Sequence, residues 1–321
     1  MPVLSLITNN NAPTRRDFVN TGIIGTAGLL ELSVPKVSLA ADGDGAQNRL
    51  PFCVIGANGK TGTKCVQDIL NRGMSVRASS RGGIYYEPES DSSDGKKNPL
   101  LLPTVCDVTI PSTVNAAVKG ARAVIFAASA SKQGGTPSEV DNIGLRNVAT
   151  ACIANGIPHL VIVSSGGVSK PDSPIYKFLN IFGGIMEEKI KGEDTVRSMY
   201  ANLKEENSKQ GMTYTIVRPG GLTEDPIRGV SEIALSQGDV RSGRISRYDL
   251  AKLCVEATIY PELTGSTTFE CFDADTGKDL GNVGMSNLLK QKSATSEHSN
   301  VKDLRGQSYK AIFLGLEKAI I

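Results

Sequence analysis

Three glycines at equal spacing carry the first chemistry legible in this sequence: Gly56, Gly59 and Gly62 in the run Gly56-Ala57-Asn58-Gly59-Lys60-Thr61-Gly62. Glycine tolerates positive φ and has no Cβ, so such a turn can bring backbone N–H groups close to a phosphate. Gly56 permits a sharp turn at a strand end, and Gly59 lets the backbone approach a pyrophosphate. Gly62 lets the following helix sit close on that strand. The spacing is G-x-x-G-x-x-G, one residue looser than the G-x-G-x-x-G fingerprint. Glycine-rich turns are common, so the flanks decide. An apolar run from Phe52 to Ile55 precedes the turn, and a stretch with Val66, Ile69 and Leu70 on one helical face follows it. Strand, glycine turn, helix is the opening of a dinucleotide fold.

A second group lies after the next strand. A NAD-preferring fold places a carboxylate there, about 20 residues past the turn, to hold the ribose 2′-hydroxyl. This chain has Arg77, Ser79, Ser80 and Arg81 instead. Guanidinium forks beside small hydroxyls suit a 2′-phosphate. NADP (NADPH) is therefore expected over NAD, on the missing acid as much as on the arginines.

The elements that position these residues follow in order. Strands are expected over 74–79, 101–106, 123–127, 159–163, 212–218 and 267–272, with helices over 112–119, 138–155 and 246–259. Alternating strands and helices predict an α/β Rossmann fold, a doubly wound parallel sheet with a small C-terminal substrate lobe. Residues 82–99 are polar and without period, and read as a long surface loop in place of the second crossover helix. The fourth strand runs out into Ala127-Ala128-Ser129-Ala130-Ser131, small residues against which a cofactor can lie. In the helix over 138–155, Val140, Ile143, Val148, Cys152 and Ile153 are expected to face inward. His159 begins a strand and reads as structural.

Composition excludes several classes. The 321 residues are 40% hydrophobic with a formal net charge of +2, which gives no reason to expect nucleic-acid binding. No apolar run reaches the length of a membrane span. The six cysteines are scattered with no C-x-x-C pair and no His cluster, so buried thiols are expected and no metal site.

Residues 1–46 read as a targeting segment. Thr14-Arg15-Arg16-Asp17-Phe18-Val19, a mildly apolar run from Thr21 to Leu30, and Ser38-Leu39-Ala40 before Ala41 resemble a twin-arginine export signal. A bacterial periplasm and a plastid, with passage to the thylakoid lumen, both fit. Residues 47–280 are then the NAD(P)-binding Rossmann domain, its substrate lobe drawn mainly from 166–188 and 220–246. Residues 281–321 form a C-terminal tail, with 309–320 expected to dock on the domain.

Further motifs come in sequence: V-R-A-S-S-R, C-D-V-T, F-A-A-S, V-I-V-S-S-G-G-V, T-I-V-R-P-G-G-L and I-S-R-Y-D-L-A. With the glycine turn, they resemble the atypical short-chain dehydrogenase/reductases of the NmrA-like NAD(P)-binding family, over about residues 51–273. The likeness is greatest to plastid members, which tips the location toward the plastid. The resemblance implies that Gly56, Asn58, Gly59, Lys60, Thr61 and Gly62 hold the pyrophosphate, and Arg77 and Arg81 the 2′-phosphate. Asp107 and Val108 would meet the adenine. Ala127, Ala128 and Ser164 would line the ribose and nicotinamide side.

Short-chain reductases pair a Tyr with a Lys four residues on, after an upstream Ser. The Ser is Ser164 or Ser165. If Glu193 stands for the acidic residue after the Lys, the lysine is Lys189, holding the ribose, and the Tyr position is Ile185, which cannot move a proton. In a second register Tyr176 is the phenol, but Asn180 stands where the Lys should be. The candidate catalytic residues are thus Ser165, Tyr176 and Lys189, without a complete pair. Two functions follow. One is an NADPH-dependent oxidoreductase on a small carbonyl or quinone-like substrate. The other is a non-catalytic NADP(H) sensor or assembly scaffold, with a possible protein partner.

Overall fold

The apolar run before the glycine turn forms β1 (Phe52–Ile55), buried along its length, and α1 (Lys60–Asn71) follows directly. A computed structural model of the chain describes residues 50–87, 98–131, 134–181, 183–205, 211–280 and 303–319. The expected targeting segment and most of the tail, 281–302, lie outside the described residues. So does 88–97 of the long loop.

After α1 come β2 (Val76–Ser80), β3 (Leu101–Val105), α2 (Pro111–Val118) and β4 (Val124–Phe126). A π-helical stretch, Ser138–Gly144, runs into α3 (Leu145–Ala154), followed by β5 (His159–Val163), α4 (Pro174–Asn180) and α5 (Ile185–Glu205). The rest is β6 (Thr213–Pro219), β7 (Gly221–Thr223), β8 (Ile233–Ser236), β9 (Arg241–Ser242), β10 (Arg244–Ser246), α6 (Arg247–Ile259), α7 (Pro261–Thr264), β11 (Thr267–Asp273), β12 (Lys278–Asp279) and α8 (Tyr309–Phe313).

Eight strands form one sheet in the order β3-β2-β1-β4-β5-β6-β11-β8. The pairings are parallel from β3 through to β11, and only β8 runs antiparallel, against β11. This is the doubly wound Rossmann sheet expected from the sequence. Because its faces are covered by helices, its central strands read as continuous apolar runs. One face packs under α1, α6 and α8 through Val66, Ile69, Leu250, Leu253 and Phe313. The other packs under α2, α3 and α5 through Val114, Val148, Cys152, Val196 and Tyr200. Short pairs β7·β10 and β9·β12 build the region between β6 and α6.

One expectation changes in detail. Ile143, expected to face inward, is 38% exposed. The π-helical stretch adds residues to the turn and rotates Ile143 off the apolar stripe that Val140 and Val148 still share. β8 and α4 have no counterpart in the sequence expectation. His159 is structural: its ring nitrogens bond Thr213 Oγ1 at 2.6 Å and Thr215 Oγ1 at 2.9 Å, and burial pushes its pKa down to about 3. All six cysteines are free and buried. Among the described residues no helix is long and apolar enough to cross a membrane.

Candidate functional site

The strand order reverses between β1 and β4, and just outside their carboxyl ends lies a cleft of about 540 Å³. Ligands of doubly wound sheets bind at this switch point. The glycine turn lines it. Gly56 takes φ +84°, and a Cβ there would lie 2.7 Å from Ala128 N. A Cβ on Gly62 would overlap the Gly56 carbonyl oxygen, so α1 can pack this close to the turn only with glycine. Gly59 caps α1 with no side-chain bond, and the first turn holds no acidic residue. The first-turn N–H groups of Lys60, Thr61 and Gly62, lacking intrahelical partners, are available to an anion.

Each expected residue has a definite place. Gly56, Asn58, Gly59, Arg81, Asp107, Val108, Ala127 and Ala128 all line the cleft. Thr61 is buried in α1, while Lys60 is exposed, 3.6 Å from Glu224. Arg77 goes elsewhere. Its Nη1 donates to Ala117 O at 3.1 Å and Lys119 O at 2.6 Å, closing the carboxyl end of α2, and it does not line the cleft. Arg77 lies three residues before the strand end, and its side chain reaches back along the sheet.

On the other side of β4, Lys189 Nζ pairs with Asp141 Oδ1 at 2.7 Å. Asp141 is fully buried in the π-helical stretch and also accepts from Ser129 Oγ at 2.8 Å and Ala130 N at 2.9 Å. This carboxylate therefore ties the loop after β4 to the lysine of α5. Ser164 Oγ donates to Glu193 Oε1 at 2.5 Å. Glu193 in turn takes Arg218 Nη2 at 2.6 Å and Arg197 Nη2 at 2.7 Å. Burial alone would raise the Glu193 carboxyl, but the two guanidiniums outweigh it and hold the group below the usual carboxylate range. Ser164 is thus committed to a buried ion pair, whereas Ser165 Oγ makes only a 3.3 Å contact, to Gly166 O. Tyr176 lies on α4 and does not line the cleft. Burial and then Glu187 push its phenol up, the opposite of the shift that a lysine-activated phenol needs.

Sequence reasoning missed Asp141, Ile84 and Tyr86. Asp141 carries no motif of its own and gains its meaning from Lys189, 48 residues on. Ile84 and Tyr86 fall in a stretch read as featureless loop, and only the fold brings them to the cleft.

An open doubly wound sheet with a glycine-turn cleft at its switch point defines a dinucleotide-binding domain. The NAD(P)H-binding family matches residues 56–261, and the chain belongs to it. That family and the fold agree with the atypical short-chain dehydrogenase/reductase resemblance. An uncharacterised chloroplastic protein of Arabidopsis thaliana is 32% identical over 218 residues, covering 65% of this chain and 72% of that one. The sanguinarine reductase of Eschscholzia californica is 34% identical over 131 residues, covering 39% of this chain and 42% of that protein. In fold, the chain matches a short-chain dehydrogenase/reductase of Veillonella parvula solved with NADP, with TM-score 0.54 and 16% identity over 71% of this chain and 96% of that one.

Proposed function

We propose that the cleft holds NADP(H) and that the protein is a plastid oxidoreductase acting on a small carbonyl or quinone-like substrate. The observation that carries this is the cleft itself: a glycine turn with an uncapped helix start, and Ser80 and Arg81 where a NAD site would hold a carboxylate. The residues fit the cofactor, since the cleft is walled by the small residues Gly56, Gly59, Ala127 and Ala128 and the start of α1 beside it has no side-chain cap. The first-turn amides of α1 would hold the pyrophosphate, and Arg81 with Ser80 the 2′-phosphate. Asp107 and Val108 would meet the adenine, and Ala127 and Ala128 would line the ribose. Bound there, the nicotinamide supplies hydride.

The chain's own residues do the rest. Lys189 places a positive charge beside the loop after β4, held there by Asp141. With Ser164 bonded to Glu193, Ser165 is the hydroxyl left to hydrogen-bond a substrate oxygen. Ile185 stands at the family's phenol position, so the proton comes from water or Ser165. Reductase chemistry in a relative of 34% identity supports the reaction class, and the chloroplastic relative supports the compartment. The arginine pair near the start points to thylakoid export, which predicts a mature N-terminus close to Ala41 by N-terminal sequencing.

The deciding experiment is NADPH titration by nucleotide fluorescence, followed by turnover with a panel of aldehydes and quinones. NADPH should bind tighter than NADH, and at least one carbonyl or quinone should be reduced. Tight NADPH binding with no turnover on the whole panel would overturn the enzyme reading in favour of a nucleotide sensor or scaffold.

A further inference from the structure

Asn58 sits in the glycine turn where a phosphate contact is expected, yet its amide bonds protein instead. Nδ2 donates to Ile84 O at 2.7 Å, and Oδ1 accepts from Tyr86 N at 3.0 Å. Ser80 Oγ donates to the same Ile84 carbonyl at 2.7 Å. The segment after β2 is therefore tied to both the glycine turn and the end of its own strand. What it presents at the cleft is apolar and uncovered: Ile84 is 55% and Tyr86 69% exposed, and both line the cleft. Fixing a segment costs conformational entropy, and leaving an aromatic ring and a branched aliphatic in water forgoes their burial. A flat apolar ligand face resting on them would recover that burial. Val108, buried and also lining the cleft, is apolar as well. Arg81, in the same segment, stands on the adenosine side of the proposed dinucleotide.

We infer that Asn58 is a positioning residue that braces residues 84–86, and that Tyr86 stacks on the adenine ring of the bound nucleotide. This rests on the dinucleotide reading of the cleft. The braced segment sets affinity at the adenosine end, away from the reacting ring. It leaves phosphate binding to the α1 backbone.

The test measures binding of NADPH and of 2′,5′-ADP, which lacks the nicotinamide half, to the full chain. Tyr86→Ala should weaken both by the same factor, about tenfold, as loss of a base–aromatic stack does. Tyr86→Phe, which keeps the ring, should bind both like wild type. Asn58→Ala should also weaken both, and the double variant should be no weaker than the weaker single, because removing the brace already removes the stack. Hydrogen exchange at the Tyr86 amide should speed up in Asn58→Ala without any ligand. Additive losses in the double variant, or unchanged exchange, would overturn the brace. Wild-type affinity in Tyr86→Ala, or equal losses in Tyr86→Phe, would overturn the stack. If wild type binds neither nucleotide, the dinucleotide reading fails first and takes this inference with it. If wild type binds both and the variants do not differ, only this inference fails.

Discussion

Arg77 and Arg81 lie on the same strand and its exit, yet they do different work. Arg77 closes α2 through two backbone carbonyls, whereas Arg81 lines the cleft. A guanidinium at a helix carboxyl end satisfies orphan carbonyls and opposes the helix dipole. Arg77→Ala should therefore cost about 1–2 kcal/mol of stability by urea denaturation and leave the ratio of NADPH to NADH affinity unchanged. Arg81→Ala should weaken NADPH by about tenfold or more while moving NADH little, because it removes a charge-assisted phosphate contact. If discrimination instead falls with Arg77, the two assignments are reversed. The sequence showed two basic residues at a strand end and could not separate them. Their difference depends on where the carboxyl end of α2 lies, and that is a tertiary fact. The glycines were legible because their demand is local, whereas Asp141 was not because its partner lies on another helix.

At the scale of elements, α5, β6 and β11 meet in a buried charge cluster beside the serine loop after β5. Arg218 on β6 lies directly across from Glu270 on β11 in the parallel register, 3.6 Å away in side-chain distance. Glu193 of α5 takes the closer ion pair, and Asp239 lies 3.7 Å from Arg218. Asp239 also accepts from Gly167 N at 2.6 Å and Ser169 N at 2.8 Å, so it holds the chain just past Ser164 and Ser165. With one guanidinium facing three carboxyls, Glu270 is left over. Burial first, then Asp239, push it up to about 8 from the ordinary 4.5, against the pull of Arg218. A carboxyl raised in the folded state binds a proton there that the unfolded chain has released. Its contribution to stability therefore falls as pH rises from about 4.5 to about 8 and is flat above that. The full cost is on the order of 5 kcal/mol. Glu270→Gln should match wild type near pH 4.5 and exceed it increasingly toward pH 8, in urea melts across that range. Parallel pH profiles for the two proteins would refute the assignment. The sequence could not show that β11 brings a third carboxyl to Arg218, since that pairing spans 52 residues.

For the whole molecule, the parallel core was readable because its central strands β1, β4 and β5 are apolar runs closed by turn residues. The sheet's far edge was not, because β8 is a short strand inside a stretch of mixed character and runs against its neighbour. What covers that edge comes from the far end of the chain. Leu304 exchanges both backbone bonds with Leu235 of β8, at 2.8 and 3.0 Å. Asp303 meets Arg241 at 2.9 Å, and Gln237 exchanges bonds with the backbone of Glu317 at 2.8 and 2.9 Å. Next to these contacts α8 buries Ile312 and Phe313, with the Phe313 ring 6.2 Å from Phe269 and 6.4 Å from Tyr260. Among the described residues, 303–319 thus pair with β8, the antiparallel edge strand of the large sheet, at Leu235 and pack on the core over α6. Full burial of two such side chains contributes roughly 3–6 kcal/mol, a large share of the stability of an ordinary domain. A chain ending at residue 302 should therefore melt well below the full chain. It should also associate through the bared β8, because an unpaired strand edge templates pairing with another chain. Phe313→Ala separates the two effects: it should lower the melting temperature while Leu304 still covers the edge, leaving the protein monodisperse by size-exclusion chromatography. If truncation leaves both melting and dispersity unchanged, residues 303–319 are an ornament on a core that is complete without them.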